Sequence, residues 1–322
     1  MHRSVIAALL VFFIASIAHA QFNTGDTLTL SISPQNPRPY DTVTVTPSSN
    51  LIDLIASTVT VSVNGKVIET GTGVQSVPVT VGASGERTVI SVTAKTAGKS
   101  YTTQVSLRPA DVALIVDPLT TTHPFYRGAP LVAPSGRVKL VAIADLRTSA
   151  TSRLDPSTLI YTWKLGDQVL QSSSGIGRST LLAEAPVRYR DAQITVTVSS
   201  PDSSIIASAS TVVSPVDPVT RIYHADALMG PDFDHALTGS YGMTSAEDAF
   251  RAVAYYFGTQ PLFSWTVNGQ SASNDRDVTV RSTGTGQGSA TLLLTASGNR
   301  TQTASARLPI SFGSKKTNIF GF

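Results

Sequence analysis

One strand-and-turn unit recurs at a fixed interval along this chain. Trp163 lies in a run of β-branched and aromatic residues that ends in a Gly-Asp turn, and Trp265 lies in a similar run that ends in Asn-Gly. Val61 occupies the same place in an earlier run, and each of the two intervals is 102 residues. A period near one hundred residues is the size of one β-sandwich. The sequence therefore predicts an all-β chain of three tandem β-sandwich domains.

The repeat also sets the predicted domain boundaries. A leader at 1–20 precedes modules at 21–109, 110–215 and 216–313, and a tail at 314–322 follows them. The joints LRPADVAL and SPVDPVTRI are short and contain proline. Because proline fixes φ, we expect the modules to form a semi-rigid rod. The tail, SKKTNIFGF, is either a frayed terminus or a docking peptide.

The first 20 residues have the pattern of a secretory signal peptide. Arg3 supplies a positive start, Val5 to Ala18 form an apolar core, and Ala18-His19-Ala20 is an A-x-A cleavage site. An uncleaved membrane anchor is the alternative, but 14 helical residues span about 21 Å, less than the roughly 30 Å of a bilayer core. No second apolar span follows. We expect an exported protein at the cell surface, in the periplasm or in the medium, with no transmembrane span after leader removal.

Composition narrows the class of protein. Hydrophobic residues make up 41% of the chain and charged residues 14%, which is typical of a folded protein. Cysteine is absent, so the sequence offers no disulfide framework, thiolate nucleophile or cysteine zinc site. The net charge is only +3 and the basic residues are scattered. Nucleic-acid binding is therefore not expected.

The recurring tryptophans are expected to be core residues. A central strand of a β-sandwich points alternate residues inward, and one large ring fills the gap between the sheets. We expect Val61, Trp163 and Trp265 to occupy three separate cores, the first of them the smallest. Sugar stacking by the tryptophans is the alternative. Aliphatic residues would fill the space that a disulfide takes in immunoglobulin domains, and the candidates are Ile194, Val196, Leu292 and Leu294.

One segment has conflicting local signals, and a second is predicted to be locally helical. TSAEDAFRAVAYYF, from Thr244, opens with a capping-box pattern, yet Val253, Tyr255 and Phe257 alternate with their neighbours, so we predict a strand. NLIDLIAS is predicted to form a single helical turn with Asp53 facing solvent.

A resemblance supports the repeat. The Y-x-W-x-x-G pattern from Tyr161 to Gly166, with the V-T-V strands that follow, resembles PKD-type and immunoglobulin-like modules of bacterial surface proteins. The whole exported stretch is similar to a pilus-associated family of bacterial envelope proteins with three such modules. The segments that carry this likeness are His123–Gly128, Leu154–Trp163, Asp226–Gly230 and His235–Tyr241. The resemblance implies association with the cell surface and pilus machinery, and it supplies no catalytic residue. The acidic Gly-Asp-Gly turn of PKD modules is replaced by Gly166-Asp167-Gln168, which weakens the calcium site that such a turn would imply.

The sequence contains no recognisable catalytic constellation. Beyond the leader only His123, His224 and His235 remain, and no Gly-x-Ser-x-Gly elbow occurs. The glycine-rich STGTGQGS lies between two strands and is predicted to be a hairpin, not a phosphate-binding loop. We therefore predict a non-enzyme with no cofactor.

One acidic and histidine-rich segment is a candidate metal site. Five potential donors fall within twelve residues: His224, Asp226, Asp232, Asp234 and His235. Carboxylates suit Ca²⁺ and imidazoles suit softer ions. The alternative is that these aspartates cap turns through their own backbone.

The loop that contains Phe125, Tyr126 and Arg127 is the candidate partner contact. Aromatic residues and arginine are enriched in interface hot spots. The alternative is that this loop packs between modules one and two and fixes the angle of their joint.

These observations predict a non-catalytic structural or interaction protein of the bacterial cell envelope that supports adhesion or pilus assembly. Its expected partner is an envelope or pilus protein. The alternative is a carbohydrate- or Ca²⁺-binding accessory module, for which a glycan would be the ligand.

Overall fold

The computed structural model describes residues 28–124, 126–283, 286–299 and 301–313. The predicted leader, Phe125 and the tail at 314–322 lie outside the described residues. Among the described residues, no helix is long and apolar enough to cross a membrane.

The described chain is all-β, as predicted, and its strands form three successive sheet pairs. The first pair packs a sheet of order β1-β2-β5 with one of order β4-β3-β6-β7. Its strands are β1 (Thr29–Ser33), β2 (Thr42–Ser48), β3 (Thr58–Val63), β4 (Lys66–Thr72), β5 (Val77–Thr80), β6 (Thr88–Thr96) and β7 (Lys99–Leu107).

The second sheet pair repeats this arrangement. One sheet has the order β15-β9-β8, and the other has the order β13-β12-β16-β17 with β14 also paired to β12. A short 3₁₀ helix (Gln171–Ser173) and a small hairpin, β10-β11, complete it. The strands are β8 (Asp111–Leu119), β9 (Arg137–Asp145), β10 (Arg147–Ser149), β11 (Ser152–Arg153), β12 (Ile160–Leu165), β13 (Gln168–Val169), β14 (Gly175–Ile176), β15 (Thr180–Glu184), β16 (Ala192–Ser199) and β17 (Ile206–Val213).

The third sheet pair combines a sheet of order β19-β18-β21-β24 with one of order β20-β26-β25-β22-β23. Its strands are β18 (Val219–Asp226), β19 (Gly230–Ala236), β20 (Tyr241–Gly242), β21 (Glu247–Tyr255), β22 (Leu262–Val267), β23 (Gln270–Ser273), β24 (Asp277–Arg281), β25 (Gly288–Ser297) and β26 (Thr303–Phe312).

The chain divides into two compact units. One contains Val43–Val79 and Val89–Ser106 with the start of the chain, and so holds most of the first sheet pair. The other contains Pro34–Thr42, Thr80–Thr88 and everything from Leu107 onward, including the second and third sheet pairs. The module boundaries given above remain a prediction.

The 102-residue repeat corresponds to one register used three times. The recurring positions pair as Val61↔Val92, Trp163↔Val196 and Trp265↔Leu294. Two residues further on, the pairs are Val63↔Ile90, Leu165↔Ile194 and Val267↔Leu292. The three central strands are therefore structurally equivalent residue by residue.

Each tryptophan lies in its own hydrophobic core. Trp163 and Trp265 are fully buried in separate clusters of the second and third sheet pairs, and Val61 is fully buried in the first. Both indole N–H groups donate to backbone carbonyls, at 2.9 Å to Arg178 O and 3.0 Å to Asp275 O. The cores therefore satisfy the one polar atom of each ring.

The segment after Thr244 forms strand β21, as predicted. It pairs with β18 and β24, just as β9 pairs with β8 and β15. Ala252 and Ala254 pack into the core around Trp265, whereas Val253 and Tyr255 pack into a second cluster on the other face. Both faces of this strand are therefore buried. For this reason large and small apolar residues alternate along it, whereas a strand with one face in solvent would alternate apolar and polar residues.

Two local predictions are wrong. NLIDLIAS forms bends and no helical turn, because Asp53 Oδ1 accepts the N–H groups of Ile55 and Ala56 and so draws them into a local turn. Asp53 itself is exposed, as expected. STGTGQGS, of which residues 284–285 lie outside the described residues, is not a hairpin. It connects β24 to β25, which belong to different sheets.

Candidate partner-binding site

The loop between β8 and β9 packs against the third sheet pair. Thr121 N–H donates to Phe257 O at 2.9 Å, and Tyr256 N–H donates to Thr121 O at 2.9 Å. The Thr121 hydroxyl oxygen accepts the Phe257 N–H at 3.2 Å. The prediction that this loop braces modules one and two is therefore wrong. Strand β8 begins at the joint between modules one and two and carries the chain away from it, and the loop follows the far end of that strand.

We call the contact between the second and third sheet pairs the junction. Six rings meet there and form the junction cluster: His123, Tyr126, Tyr223, Phe233, Tyr255 and Tyr256. His123 stacks on Phe233 with ring centroids 4.9 Å apart and planes at 14°. It also makes edge-to-face contacts with Tyr126 and Tyr255, with ring centroids 5.4 and 5.7 Å apart. Stacked and edge-to-face pairs of this kind add stability beyond the area they bury.

The tyrosine hydroxyls of the cluster pair with one another. Tyr126 and Tyr256 have hydroxyl oxygens 2.6 Å apart, and so do Tyr223 and Tyr255. Burial, followed by the hydrogen bond to Tyr223, raises the pKa of Tyr255 far above its ordinary value. Burial, followed by the bond to Tyr126, raises the pKa of Tyr256 to about 12. In each pair, one hydroxyl donates its proton to the oxygen of the other.

A buried glutamine adds a second link between the same two sheet pairs. Gln302 is 3% exposed, and its side-chain amide donates to Pro134 O at 2.7 Å. Its amide oxygen accepts the Gly258 N–H at 2.9 Å. The Val216 N–H also donates to Val132 O at 2.9 Å. The junction is thus held by directional bonds as well as by ring packing.

An open pocket lies beside the junction cluster, on the outer face of β21. Its volume is about 160 Å³. The apolar part of its lining includes Pro124, Pro231, Phe233 and Val253, and its polar residues are Thr122, His123, Arg251, Gln260 and Arg276. We call it the junction pocket.

The two arginines of the junction pocket differ in their partners. Arg251 donates two parallel hydrogen bonds to Asp277, from Nε to Oδ1 and from Nη2 to Oδ2, the second at 2.7 Å. Arg276 is exposed, and over the described ranges its side chain has no hydrogen bond or ion pair. The pocket therefore presents one cation whose charge is not already offset.

A second pocket, of about 310 Å³, shares the wall formed by His123, Pro124, Pro231 and Phe233. Its other lining residues are Arg127, Asp232 and Asp234. The predicted contact trio is therefore divided. Tyr126 is half-buried in the junction cluster, Arg127 is exposed at this second pocket, and Phe125 lies outside the described residues.

The five candidate metal ligands lie along the β18–β19 hairpin without converging. Asp226 Oδ1 accepts the N–H groups of Leu228 and Met229, both at 2.8 Å, and these bonds lower the pKa of that carboxyl. His235 Nδ1 lies 2.9 Å from Asp232 Oδ2, and this bond lowers the pKa of Asp232.

His224 Nε2 is 3.8 Å from Asp248, and Asp234 is exposed. Within the part of the chain that the structure describes, no three or more His, Asp or Glu side chains are placed to hold a metal ion. Asp226 acts as a turn cap.

Sequence reasoning missed the tip of the same hairpin. Leu228 and Met229 are 95% and 89% exposed, and the Asp226 cap fixes the turn that carries them. The only sequence signal is an apolar pair between Asp226 and Gly230, where turns usually carry polar residues.

Comparisons with known proteins give no close relative. No family model and no curated protein matches the sequence. Among solved structures, the chain is similar to three N-terminal domains of the highly immunogenic outer capsid protein of bacteriophage RB49. That match has 16% identity and a TM-score of 0.26 and covers 89% of this chain and 98% of that one.

Immunoglobulin domains 1–5 of Sidekick-1 match at 8% identity with a TM-score of 0.30, over 88% of this chain and 58% of that one. The central fibronectin-III array of RIM-binding protein matches at 10% identity with a TM-score of 0.27, over 88% of this chain and 95% of that one.

Proposed function

We propose that this chain is a non-catalytic interaction protein, exported to the bacterial cell envelope, that supports adhesion or pilus assembly by binding a protein partner at the junction pocket. The observation that carries this proposal is an open apolar pocket beside a junction that is fixed by hydrogen bonds. Pockets with apolar walls and a few polar groups are the usual form of binding sites. A rigid site also avoids much of the entropy cost of ordering loops on binding.

The wall of the pocket is held in place by contacts within this chain. His123 is held between Phe233 and the two tyrosines Tyr126 and Tyr255. The loop that carries His123 is bonded to the end of β21 through Thr121. A partner would therefore meet a preformed surface contributed by two sheet pairs, which is a reason for tandem modules to be joined closely at this point.

Site-specific photo-crosslinking in intact cells tests the proposal. A photoreactive amino acid replaces Gln260, which is exposed at the rim of the pocket, and in a matched variant it replaces Arg307, which is exposed on β26. We expect a discrete adduct with an envelope or pilus protein from the Gln260 position only. Equal adducts from both positions, or none from Gln260 in cells that export the protein, would contradict the proposal.

A glycan is the second candidate ligand, favoured by an aromatic ring, Phe233, beside arginine and glutamine side chains in one pocket. Sugar recognition needs the flat ring, whereas an apolar anchor needs only apolar volume. Phe233→Leu should therefore abolish binding on a glycan array if a sugar is the ligand. The same variant should retain the protein adduct if a protein is the ligand.

A further inference from the structure

We infer that the junction pocket binds one aromatic or large aliphatic side chain of a partner protein segment that carries a carboxylate beside that side chain. This inference rests on the proposed function and names the chemistry of the partner.

The size of the pocket selects a single side chain. Its volume is about 160 Å³. A cavity of about 150 Å³ holds one benzene ring, whereas sites for drug-sized ligands are about 300–1,000 Å³. One phenyl ring or one leucine-sized group therefore fills the space, and hot-spot side chains in protein interfaces fill well-packed pockets in this way.

The walls of the pocket favour an apolar anchor. Pro124, Pro231, Phe233 and Val253 supply its apolar surface, and the stacking of His123 on Phe233 fixes one wall. Because this wall is ordered before binding, an incoming ring loses only its own freedom.

The charges around the pocket favour a carboxylate over an ammonium group. Arg251 and Arg276 line it, and the charge of Arg251 is offset by Asp277. No aspartate or glutamate is among the residues that line this pocket, whereas Asp232 and Asp234 line the neighbouring one. Arg276 is left to pair with an incoming anion, and a guanidinium can bind a carboxylate through two parallel hydrogen bonds.

Capped dipeptides test the inference on the full-length mature chain. The probes are N-acetyl-Phe-Asp-amide and N-acetyl-Asp-Phe-amide, compared with the same peptides carrying Asn or Lys in place of Asp. Binding is measured by NMR titration, with shift changes assigned to residues around Phe233 and Val253. We expect the better Asp peptide to bind about two- to fivefold more tightly than its Asn analogue, as for an exposed ion pair, and the Lys peptides to bind most weakly.

The variants Arg276→Gln and Arg307→Gln form a matched pair. Both replace an exposed arginine, but only Arg276 lines the pocket. Arg276→Gln should make the Asp and Asn peptides bind equally, because the Asp peptide loses its ion pair. Arg307→Gln should keep the full preference.

Two results would overturn the inference. One is the absence of any shift near Phe233 with all peptides at millimolar concentration, and the other is a preference for Asp that survives Arg276→Gln. If the peptides fail while the Gln260 crosslinker still captures an envelope protein, the proposed function stands and only the chemistry assigned to the pocket is wrong. If capture fails as well, both are wrong.

Discussion

The hydroxyl oxygens of Tyr126 and Tyr256 lie 2.6 Å apart and join the second sheet pair to the third. Tyr256 follows β21 with a left-handed backbone φ of 61°, which costs a bulky residue about 1–3 kcal/mol. At the end of the strand, this conformation shifts by one residue the order in which side chains alternate between the two faces of the sheet. Phe257 turns into the core, where it is fully buried, while the Tyr256 hydroxyl reaches the loop. The strain at Tyr256 is therefore coupled to the contact that holds the junction.

Removing either hydroxyl of this pair should weaken the junction. We expect Tyr126→Phe and Tyr256→Phe each to lower the free energy of unfolding by about 0.5–1.5 kcal/mol, since each removes one hydrogen bond. The double variant should lose less than the sum, because both changes delete the same interaction. Urea unfolding measures this, with Tyr189→Phe, 85% exposed, as the control that should change nothing. Strictly additive losses would show that the pair is not coupled.

Tyr255 and Tyr256 should make stability depend on alkaline pH. An unfolded tyrosine loses its proton near pH 10, whereas Tyr256 holds its proton to about pH 12 because its pKa is raised in the folded chain. The pKa of Tyr255 is also raised. Between these pH values the unfolded state binds fewer protons, so the free energy of unfolding should be constant below pH 10 and fall as pH rises toward 12.

Urea unfolding at intervals from pH 8 to 12 measures this slope. Tyr255→Phe should make the slope shallower, because one of the groups with a raised pKa is gone. A free energy that is flat across this range, or that rises with pH, would contradict the assignment.

The repeat was predictable because it is encoded locally. Strand alternation, two-residue turns and a large ring at one inward position are all properties of short segments. The same side-chain pattern yields the same register around Val61, Trp163 and Trp265. The strand β21 was predictable from the repeat, although its own composition suggested a helix.

The junction was not predictable in the same way. Chain proximity suggested that the loop containing Tyr126 lies at the joint with module one. However, β8 has nine residues, and at about 3.3 Å per residue it places this loop roughly 30 Å from the start of the strand. The partners of the loop, Phe233 and Tyr255, are more than one hundred residues away in sequence. Long-range packing of this kind leaves no periodic signal.

The two tryptophans should be the most sensitive core positions. Trp163→Ala and Trp265→Ala should each cost about 3–5 kcal/mol, because each leaves a large cavity in a fully buried site. Trp163→Phe should cost less, since it keeps an aromatic ring and loses mainly the bond to Arg178 O. Scanning calorimetry of the chain from Gln21 onward measures the loss. Unchanged melting in both alanine variants would show that these rings are not core residues.

Gln302 offers a test of the junction that leaves both cores intact. Gln302→Glu keeps the size of the side chain and an acceptor for the Gly258 N–H, but it removes the donor to Pro134 O. Because this site is buried, the variant leaves a carbonyl without its partner and buries a charge, and we expect a loss of at least about 1–3 kcal/mol at neutral pH. The loss should shrink at low pH, where the new carboxyl is protonated. A loss that does not vary with pH would contradict this role.

The turn after Trp163 differs from its two counterparts in a way that should limit stability. Asn64 and Asn268 open Asn-Gly turns, and their side-chain oxygens accept the N–H groups of Val89 and Thr291, both at 2.8 Å. The equivalent turn in the second sheet pair is Gly166-Asp167, which has no side-chain amide at its first position. Of its two residues only Gly166 has a positive φ, as in a type II′ turn.

Exchanging this turn for an Asn-Gly turn should stabilise the second sheet pair. The Gly166 N–H already donates to Gln193 O at 2.8 Å, as the N–H of Asn64 donates to Val89 O, so the new amide oxygen should reach the Gln193 N–H. We expect the double variant Gly166→Asn/Asp167→Gly to raise the free energy of unfolding by about 0.5–1.5 kcal/mol. Gly166→Asn alone should lower it, because the first position of a type II′ turn strains any residue with a Cβ. Calorimetry of both variants measures these changes. A gain in the double variant together with a loss in the single variant would indicate that the new hydrogen bond stabilises the turn. If the double variant is no more stable than the parent chain, the amide bond seen in the other two sheet pairs contributes nothing to them.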